Sequence, residues 1–360
     1  MTAVSGRNLA PAGISSAAWR TYRDALVVDM HDDLPSRMLD DAYDPAVRHP
    51  AGFGPASGHS DLPRFAESGI TAVWLAAFVG ASHVAEPGAS FARAVRMLRA
   101  IHDLVASHPT QLLAGTRAGH VREAKASGRV AVFVGVEGGH AIEHSLERLA
   151  DLYALGARYL TLTWNNGNTW AGSSLGEGGT STGGLTAFGR DVVREMNRLG
   201  MLVDVSHVSD ATLRDVLETS AQPVVASHSC ARALCDHPRN VTDQQLRDIA
   251  AGGGVGCLNF YSRFLHPAWG EAADTGAPPP AVSVAHLADH LAHMAGVAGA
   301  AHVGIGSDFN GLGGLPDGMH DVTRLPWLAE ALVQRGFSEV ELRAVLGGNV
   351  VRVMGEVIGE

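Results

Sequence analysis

Short apolar runs that alternate with amphipathic stretches constrain the fold of this chain more than any other feature. Eight runs rich in Val, Ile, Leu and aromatic residues lie at 25–30, 70–78, 130–136, 157–163, 201–206, 223–227, 254–260 and 302–307. Between most of them apolar residues recur every three or four positions, as at 91–108, 185–200 and 282–296. Near-continuous apolar strands that alternate with helices are typical of a parallel sheet buried on both faces. The pattern therefore predicts an α/β protein whose eight strands close into a (β/α)8 TIM barrel.

The size and composition of the chain agree with a single barrel. The 360 residues are 46% hydrophobic and 18% charged, which allows a large core. A barrel of about 250 residues leaves room for loop insertions and C-terminal helices. No internal repeat or linker divides the sequence, so we expect one domain over residues 1–360, with its core at about 25–354.

Helix signals support the same organisation. Thr242 with Gln245, and Ser338 with Glu341, have the spacing of a capping box at a helix start. Residues after 338 are predicted to form two closing helices. The Gly- and Ser-rich segment 172–184 is predicted to be a mobile loop over the barrel mouth. The segment 265–282 is predicted to be an insertion after the seventh strand, serving as a lid or a subunit contact.

Polar residues stand where five of the apolar runs end. They are His31, Asp33, Glu137, His207, His228 and Asp308. The carboxyl ends of parallel barrel strands meet at one mouth, where the chemistry of such proteins collects. The alternative, an open doubly wound sheet, would place its site at one switch point, whereas these residues come from strands scattered along the chain. Because the first five can each ligate a divalent metal, the pattern predicts a two-metal hydrolase.

Charge and targeting signals exclude several classes of partner. The chain has 27 Lys and Arg against 37 Asp and Glu, a net charge of −10, so a phosphate backbone would be repelled and no nucleic-acid partner is expected. No apolar stretch has the length of a signal peptide or a membrane span, and we expect a soluble, cytoplasmic protein with no membrane partner. Cys230, Cys235 and Cys257 are predicted to be small buried residues of a reducing compartment.

Eight sequence segments occur in a characteristic order. They are VVDMHDDLP, HSDLPR, VGVEGGHAI, GMLVDVSHVSD, ASHSCARAL, PRNVTD, LNFY and VGIGSDFNG. Together they resemble the membrane dipeptidase family, also called renal dipeptidases, of the amidohydrolase superfamily. The resemblance extends from about residue 25 to residue 354. It implies a (β/α)8 barrel with two zinc ions that hydrolyses the amide bond of dipeptides.

The resemblance also implies a role for each candidate ligand. His31 and Asp33 would bind the first zinc ion, and Glu137 would bridge both ions. The second ion would be bound by His207 and His228. Imidazole and carboxylate suit zinc, and two ions about 3.5–4 Å apart can share a bridging hydroxide as nucleophile. Cobalt, manganese or iron would also accept these ligands, and zinc is the default.

Three further residues match substrate-contacting positions of the family. Asp308 matches the carboxylate that handles the proton of the nucleophilic water and passes it to the leaving amine. Arg239 and Tyr261 match positions that hold the terminal carboxylate of the dipeptide. The resemblance further implies that a D-residue is tolerated at the carboxyl end, because the side chain of the leaving residue would face open space.

The chain departs from the family at Trp164. Better-known members carry a histidine there that stabilises the tetrahedral intermediate, whereas this chain has LTLTWNNGNTWAG. An indole can donate one hydrogen bond but cannot carry an imidazolium charge, and losing such a donor costs about 3–4 kcal/mol in other hydrolases. Asn165 or Asn166 would have to replace it, or the substrate differs. A smaller departure is Asn310, where many relatives have a second Asp.

Other histidines are expected to have structural roles. His286, His290 and His293 share a helical face, but no carboxylate at a strand end accompanies them. His140, three residues after Glu137, is predicted to orient that carboxylate.

The sequence therefore predicts a metallo-dipeptidase with a small dipeptide substrate and a homodimeric assembly. One alternative is a related amidohydrolase that acts on an N-acyl amino acid or a lactam. Another is a catalytically silent, metal-containing protein that binds dipeptides. The retention of all six polar residues favours an enzyme.

Overall fold

A parallel sheet forms the centre of the molecule, in a computed structural model that describes residues 9–177 and 183–360. Within those ranges the strands are β1 (Val28–Asp32), β2 (Ala72–Phe78), β3 (Leu112–Ala114), β4 (Val130–Glu137), β5 (Ala157–Thr161), β6 (Leu202–Asp204), β7 (Val225–Ala226), β8 (Val255–Leu258) and β9 (Val303–Ile305). The barrel order is β1-β2-β4-β5-β6-β7-β8-β9, and all pairings are parallel. The eight predicted strands are confirmed, and β3 is an unpredicted addition that pairs with the start of β4 outside the barrel order.

The sheet closes between its first and last strands. Asp32 and Phe309 form a parallel bridge, and the Asp33 amide donates a hydrogen bond of 2.8 Å to the Phe309 carbonyl. The Asp308 amide donates to the His31 carbonyl at 3.0 Å. These bonds satisfy backbone groups that an open edge would expose. The predicted barrel is therefore confirmed, and the open doubly wound sheet is excluded.

Helices surround the barrel. Within the described ranges they are α1 (Ser16–Asp24), α2 (Leu34–Asp40), α3 (Leu62–Ser68), α4 (Ala89–Ser107), α5 (Gly119–Ser127), α6 (Leu146–Ala154), α7 (Ala187–Leu199), α8 (Asp210–Thr219), α9 (Asp243–Ala251), α10 (Ser262–Leu265), α11 (Pro267–Thr275), α12 (Val284–Ala298), α13 (Leu325–Gln334), α14 (Glu339–Arg343) and α15 (Asn349–Val357). Both capping boxes are formed, at the starts of α9 and α14. The two closing helices after 338 are confirmed as α14 and α15. No helix in the described part of the chain is long and apolar enough to span a membrane.

Aromatic side chains fill the interior of the barrel below the mouth. The Trp74 ring stacks between Phe133 and Tyr159, with ring centroids 5.0 and 5.2 Å away. Gly135 makes room for Tyr159, because a Cβ at Gly135 would lie 1.9 Å from that ring. The opposite faces of the strands pack against the helices, which buries the sheet on both sides. This packing holds the strand ends rigidly around the mouth.

Two predicted insertions have different outcomes. The segment 265–282 contains α11 and follows the seventh barrel strand, as expected. The segment 172–184 includes residues 178–182, which lie outside the described part of the chain, so the mobile loop stays a prediction. On its described side, Ser173 pairs with Val208, which joins this segment to the turn after β6.

Candidate metal centre

The six predicted polar residues meet at the carboxyl ends of the barrel strands. His31 lies in β1, Asp33 directly follows that strand, and Glu137 is the last residue of β4. The others follow β6, β7 and β9 in turn and are His207, His228 and Asp308. All except the partly exposed Asp308 are at least nine-tenths buried. Residues from five strands thus form one site.

Glu137 is at the centre of this site. Its Oε1 lies 2.9 Å from the Nε2 of His207 and 3.5 Å from the Nε2 of His228. Its Oε2 lies 3.5 Å from the Nε2 of His31. Burial raises the pKa of this carboxyl group, but the three surrounding histidines outweigh that effect and hold it well below its usual range. One ionised carboxylate therefore contacts imidazole rings on both sides.

A second carboxylate group adjoins the first. The Nε2 of His31 also lies 3.5 Å from the Oδ2 of Asp33, and ligand atoms of His31, Asp33 and Asp308 lie within 4.8 Å of one another. Gly311 permits this approach, because a Cβ there would lie 2.2 Å from Asp33 Oδ2 and 2.6 Å from Asp308 Oδ1. Ligand atoms of His31, Glu137 and His228 form the other group within the same limit. The two groups share His31, so together they line one continuous site at the mouth.

Oxygen atoms behind two of the histidine rings hold them in place. The Nδ1 of His207 contacts Asn165 Oδ1 at 3.1 Å, and an amide oxygen can only accept a hydrogen bond. The proton is therefore on Nδ1, and the Nε2 of His207 is left as a lone pair. The Nδ1 of His31 contacts the Tyr159 hydroxyl at 2.9 Å, which fixes the orientation of that ring.

His228 is held by a chain of two hydrogen bonds. The Ser227 hydroxyl donates to Asp204 Oδ2 at 2.6 Å and therefore accepts a hydrogen bond from His228 Nδ1, at 2.7 Å. Thr161 donates to the same carboxylate oxygen at 2.6 Å. Outer hydrogen bonds of this kind orient metal-binding histidines and raise the basicity of the ligand nitrogen. The Nε2 of His228 is likewise left unprotonated and faces Glu137.

The electrostatics of the histidines fit metal ligation. Burial and the nearby Arg239 lower the pKa of His207 to about 4, and burial with the charge of His31 places that of His228 well below its usual range. The Nε2 of His31 is completely buried and has no hydrogen-bond partner in the described residues. An orphaned nitrogen beside two carboxylates is costly unless a cation lies between them. The donor set therefore fits divalent metal ions of the borderline type.

Strained backbone conformations bring two of these side chains into the mouth. His207 has φ 67° and Asp308 has φ 63°, the left-handed region that residues other than glycine rarely adopt. Each such residue costs about 1–3 kcal/mol, and strain of this kind concentrates at functional sites. The chain after β6 and β9 thus turns so that both side chains point toward Glu137.

Asp308 has the environment of a proton-transfer group. Its Oδ2 accepts a hydrogen bond of 2.8 Å from Asn259 Nδ2. Burial, together with the charges of Asp33 and Glu137, raises the pKa of Asp308 well above its ordinary value. A carboxyl group that is readily protonated beside a metal centre can both accept and donate a proton.

Arg239 provides an unpaired positive charge beside the metal centre. Its side chain is 4% exposed, and Nη2 donates to the His228 carbonyl at 3.3 Å. No carboxylate of the described residues forms an ion pair with it. The guanidinium lies over the Phe264 ring, 5.5 Å from its centroid. A buried guanidinium without a protein carboxylate is suited to a carboxylate from a ligand.

Tyr261 lies on the same side of the mouth and is half-buried. Its ring packs edge-to-face against Phe264 and Trp269, with centroids 5.0 and 5.4 Å away. Asn259 Oδ1 accepts a hydrogen bond of 2.6 Å from the Tyr261 amide. Asn259 thus links the backbone of Tyr261 to the carboxylate of Asp308.

Trp164 and the two asparagines that follow it have different contacts around the metal centre. The Trp164 ring is half-buried, packs edge-to-face on Phe78 at 5.0 Å and lies 6.5 Å from the His207 ring. Asn165 binds His207, as described above. Asn166 Nδ2 lies 3.4 Å from His140 Nδ1. Asn165 is thus the asparagine in contact with a candidate metal ligand, whereas the side chain of Asn166 contacts His140.

The contacts revise one predicted histidine role and agree with the structural roles predicted for three others. His140 Nε2 bonds the Val79 carbonyl at 2.8 Å instead of Glu137, so the prediction that it orients that carboxylate is wrong. The three helical histidines bond three separate partners. His286 caps its helix at Ser283, His290 contacts the Leu265 carbonyl, and His293 pairs with Asp243.

The contacts of Asn310 explain why this position has an amide and not a carboxylate. Its Nδ2 donates to Asp32 Oδ1 at 2.8 Å and to Ser60 Oγ at 2.7 Å, and its Oδ1 accepts from the His59 amide at 2.9 Å. An aspartate here would place two carboxylates against each other. The amide therefore joins the loop after β9 to the HSDLPR segment.

Residues behind the site were not found by sequence reasoning. Tyr159, Asp204, Ser227 and Asn259 each bond a candidate ligand or its partner. Of these, only Ser227 carries a sequence signal, because it directly precedes a ligand at the end of an apolar run. The others are identified only once the strands are placed side by side.

Comparison with known proteins agrees with this architecture. The family model described as "Membrane dipeptidase (Peptidase family M19)" matches residues 16–358. A crystal structure of the dipeptidase AC, a metallopeptidase of family M19, is 29% identical over 93% of this chain and 99% of its own, with a TM-score of 0.81. A metallopeptidase from Rhodobacter sphaeroides, solved with a phosphinate mimic of the dipeptide L-Ala-D-Ala, is 28% identical over 92% of this chain and 99% of its own, with a TM-score of 0.80.

A third structure extends the likeness in fold. The probable dipeptidase PvdM from Pseudomonas aeruginosa is 23% identical over 94% of this chain and 97% of its own, with a TM-score of 0.80. At that identity the match adds support for the barrel alone. The family match covers the barrel and every candidate ligand, so the chain belongs to the membrane dipeptidase family, peptidase family M19, and is a metal-dependent dipeptidase.

Proposed function

We propose that the protein is a binuclear zinc dipeptidase that cleaves the amide bond of dipeptides and tolerates a D-residue at the carboxyl end. The main support is the arrangement of three imidazole Nε2 atoms around the Glu137 carboxylate. Neutral imidazoles and an ionised carboxylate are the ligand types that zinc prefers.

The proposed ligands fall into two sets that share Glu137. His31 and Asp33 hold one ion, and His207 and His228 hold the other. Bound there, the ions supply positive charge that lowers the pKa of water to about 7, and so provide a hydroxide nucleophile at neutral pH. The hydrogen bonds that His31 and His207 form with Tyr159 and Asn165 orient these two rings before any ion binds.

Asp308 accepts the proton of the attacking water and donates it to the leaving amine. It adjoins Asp33 and is held by Asn259 at 2.8 Å, which fixes the position of its carboxyl group. The raised pKa suits both steps, because a carboxyl group that is more readily protonated can donate a proton as well as accept one.

Arg239 binds the terminal carboxylate of the dipeptide, with Tyr261 beside it. Its guanidinium is buried, it has no ion pair in the described residues, and it contacts the backbone of His228. A substrate carboxylate would compensate the buried positive charge of Arg239, which favours substrates with a free carboxyl end. The proposal that a D-residue is accepted draws on the Rhodobacter sphaeroides relative, whose bound ligand mimics L-Ala-D-Ala.

A zinc titration tests this proposal. Metal-free protein is supplied with increasing zinc, and alanine release from L-Ala-L-Ala and L-Ala-D-Ala is measured together with the bound zinc. We expect activity to rise until about two equivalents are bound, with both isomers cleaved. Saturation at one equivalent would contradict the binuclear centre, and release from the L,L isomer alone would contradict the tolerance of a D-residue.

A related amidohydrolase activity is the alternative, because Trp164 replaces the family histidine. Turnover of N-acetyl-alanine or a lactam without turnover of free dipeptides would favour it. A silent binding protein would bind both metals and the dipeptide and release no alanine.

We further propose that the chain folds as one domain, forms a homodimer and works in the cytoplasm. One family model covers residues 16–358, which supports a single folding unit. The three cysteines are buried free thiols, which suits a reducing compartment. The homodimer follows from the family resemblance, and sedimentation equilibrium of the purified protein tests it.

A further inference from the structure

A cavity lies at the carboxyl end of β2, beyond the residues assigned to the metal centre. Its volume is about 460 Å³, enough for a small side chain. The residues that matter here are Asp40 at the end of α2, Phe78 at the end of β2, His83 in the following turn, and Arg93 and Arg96 on α4. None of them has a role in the chemistry described above.

Phe78 connects this cavity to the metal centre. It is the register partner of Glu137 in the parallel pairing of β2 with β4. Register partners on neighbouring strands project from the same face of the sheet, so the Phe78 ring lies beside the Glu137 carboxylate. The ring also contacts Trp164, which in turn lies against His207. Phe78 therefore separates the cavity from the metal centre and borders both.

The cavity has an excess of positive charge. Arg93 forms two hydrogen bonds to Asp40, of 2.8 and 2.5 Å, which neutralise one guanidinium. Arg96 is exposed and forms no ion pair with a carboxylate of the described residues. Burial and the charges of both arginines lower the pKa of His83, against the opposing effect of Asp40. In a chain with a net charge of −10, this is a local positive site.

The strand order gives the orientation of a bound dipeptide. β2 and β7 are four places apart in an eight-stranded barrel, so their ends lie on opposite sides of the mouth. Arg239 follows β7 and, under the proposed function, holds the terminal carboxylate. With the scissile bond at the metal centre, the amino-terminal residue of the dipeptide extends toward β2 and Phe78.

We propose that this cavity is the subsite for the side chain of the amino-terminal residue and that it selects an acidic side chain, Asp or Glu, through Arg96. Phe78 provides the apolar wall for the methylene groups, and the guanidinium of Arg96 faces the carboxylate. The inference rests on the proposed dipeptidase function and adds a substrate class to it.

Dipeptides with a carboxyl-terminal alanine, of the isomer that is cleaved faster, test the inference. The zinc-loaded protein is given L-Glu-Ala, L-Gln-Ala, L-Lys-Ala and L-Ala-Ala, and kcat/KM is measured for each. We expect L-Glu-Ala to exceed L-Gln-Ala by about fivefold at low salt, the upper range for a solvent-exposed charge pair. Arg96→Gln should remove that preference and leave L-Gln-Ala and L-Ala-Ala unchanged. Arg99→Gln, an exposed arginine of the same helix outside the cavity, should change nothing.

The outcomes separate this inference from the proposed function. Cleavage of L-Ala-Ala with no advantage for L-Glu-Ala overturns the acidic subsite and leaves the dipeptidase intact. An Arg96→Gln variant that loses activity equally on L-Glu-Ala and L-Gln-Ala also overturns it. Failure to cleave any member of the panel overturns the proposed function and this inference together.

Discussion

Each histidine of the metal centre has an oxygen atom behind its ring, in contact with Nδ1. These oxygens belong to Tyr159, Asn165 and Ser227. These contacts orient the three rings so that every Nε2 atom faces Glu137. The residues behind the rings should therefore determine metal affinity almost as strongly as the ligands themselves.

Ser227→Ala tests this at the hydrogen-bond chain from Asp204 to His228. Loss of the hydroxyl removes the acceptor for His228 Nδ1, and we expect zinc affinity to fall about 10–100-fold. Competition with a chromogenic chelator measures the zinc affinity of each variant. Ser229→Ala is the matched control, because the Ser229 hydroxyl is buried and has no partner in the described residues. Equal affinities of the two variants would refute the role of Ser227.

Arg239→Gln tests the proposed binding of the substrate carboxylate. Removing a buried, ligand-paired charge should lower kcat/KM for dipeptides about 10²-fold, mainly through KM, with zinc content unchanged. Arg263→Gln is the control, since the Arg263 side chain is already paired with Asp274 at 2.7 Å. A variant at Arg239 with normal KM would show that the carboxylate is bound elsewhere.

The candidate ligands could be predicted at the residue scale because they stand where apolar runs stop. His31, Glu137 and His228 are examples, and the structure brings them together as expected. Their partners could not be predicted, because Tyr159 is an ordinary apolar position of its strand and reaches His31 only across the barrel. The roles of all of them remain to be measured.

At the scale of elements, Arg64 of the HSDLPR segment joins α3 to the loop after β9. Its guanidinium is 2% exposed and contacts Asp61, Asp321 and the His49 carbonyl. The bond from Arg64 to Asp321 Oδ2 is 3.0 Å long. This segment is therefore a structural clamp that supports the mouth.

Arg64→Met should destabilise the fold by about 3–5 kcal/mol, because it leaves buried carboxylates without their partner. Urea denaturation of the metal-free protein measures the change. Arg48→Met is the control, since the Arg48–Glu67 pair is exposed and should contribute about 0–1 kcal/mol. Similar effects of the two substitutions would contradict the clamp.

Eight strands were predictable because each has a run of apolar residues long enough to cross the barrel. β3 was missed because Leu112–Ala114 is only three residues long and lies between α4 and α5. Some observed strands are shorter than predicted, as at β7, where the ladder covers Val225–Ala226. There the chain leaves regular pairing to place His228 in the mouth.

At the scale of the molecule, the barrel gathers ionised and strained groups at one end, and metal binding should stabilise the fold. Zinc at about 100 times its Kd adds about 2.7 kcal/mol to the free energy of unfolding. We expect a chelator to lower the Tm and zinc to restore it. His207→Ala should reduce the rise in Tm with zinc. His293→Ala should keep it, because His293 lies on α12, away from the metal centre, and pairs with Asp243. A Tm that is independent of metal would contradict a preorganised centre.

The barrel itself was predictable because strand and helix signals alternate along the whole chain. The contacts that close it, from Asp32 to Phe309, are not visible in any local pattern. The position of Trp164 against Phe78 and His207 also required the fold, because one partner ends β2 and the other follows β6.

Amino-acid release from dipeptides by zinc-loaded protein tests the central claim most directly, with the Asp308→Asn variant alongside. We expect alanine release from L-Ala-Ala that a chelator abolishes, and a loss of about 10²–10⁴-fold in the variant with its zinc content unchanged. Full activity of Asp308→Asn, or no release from protein that holds both metals, would contradict it.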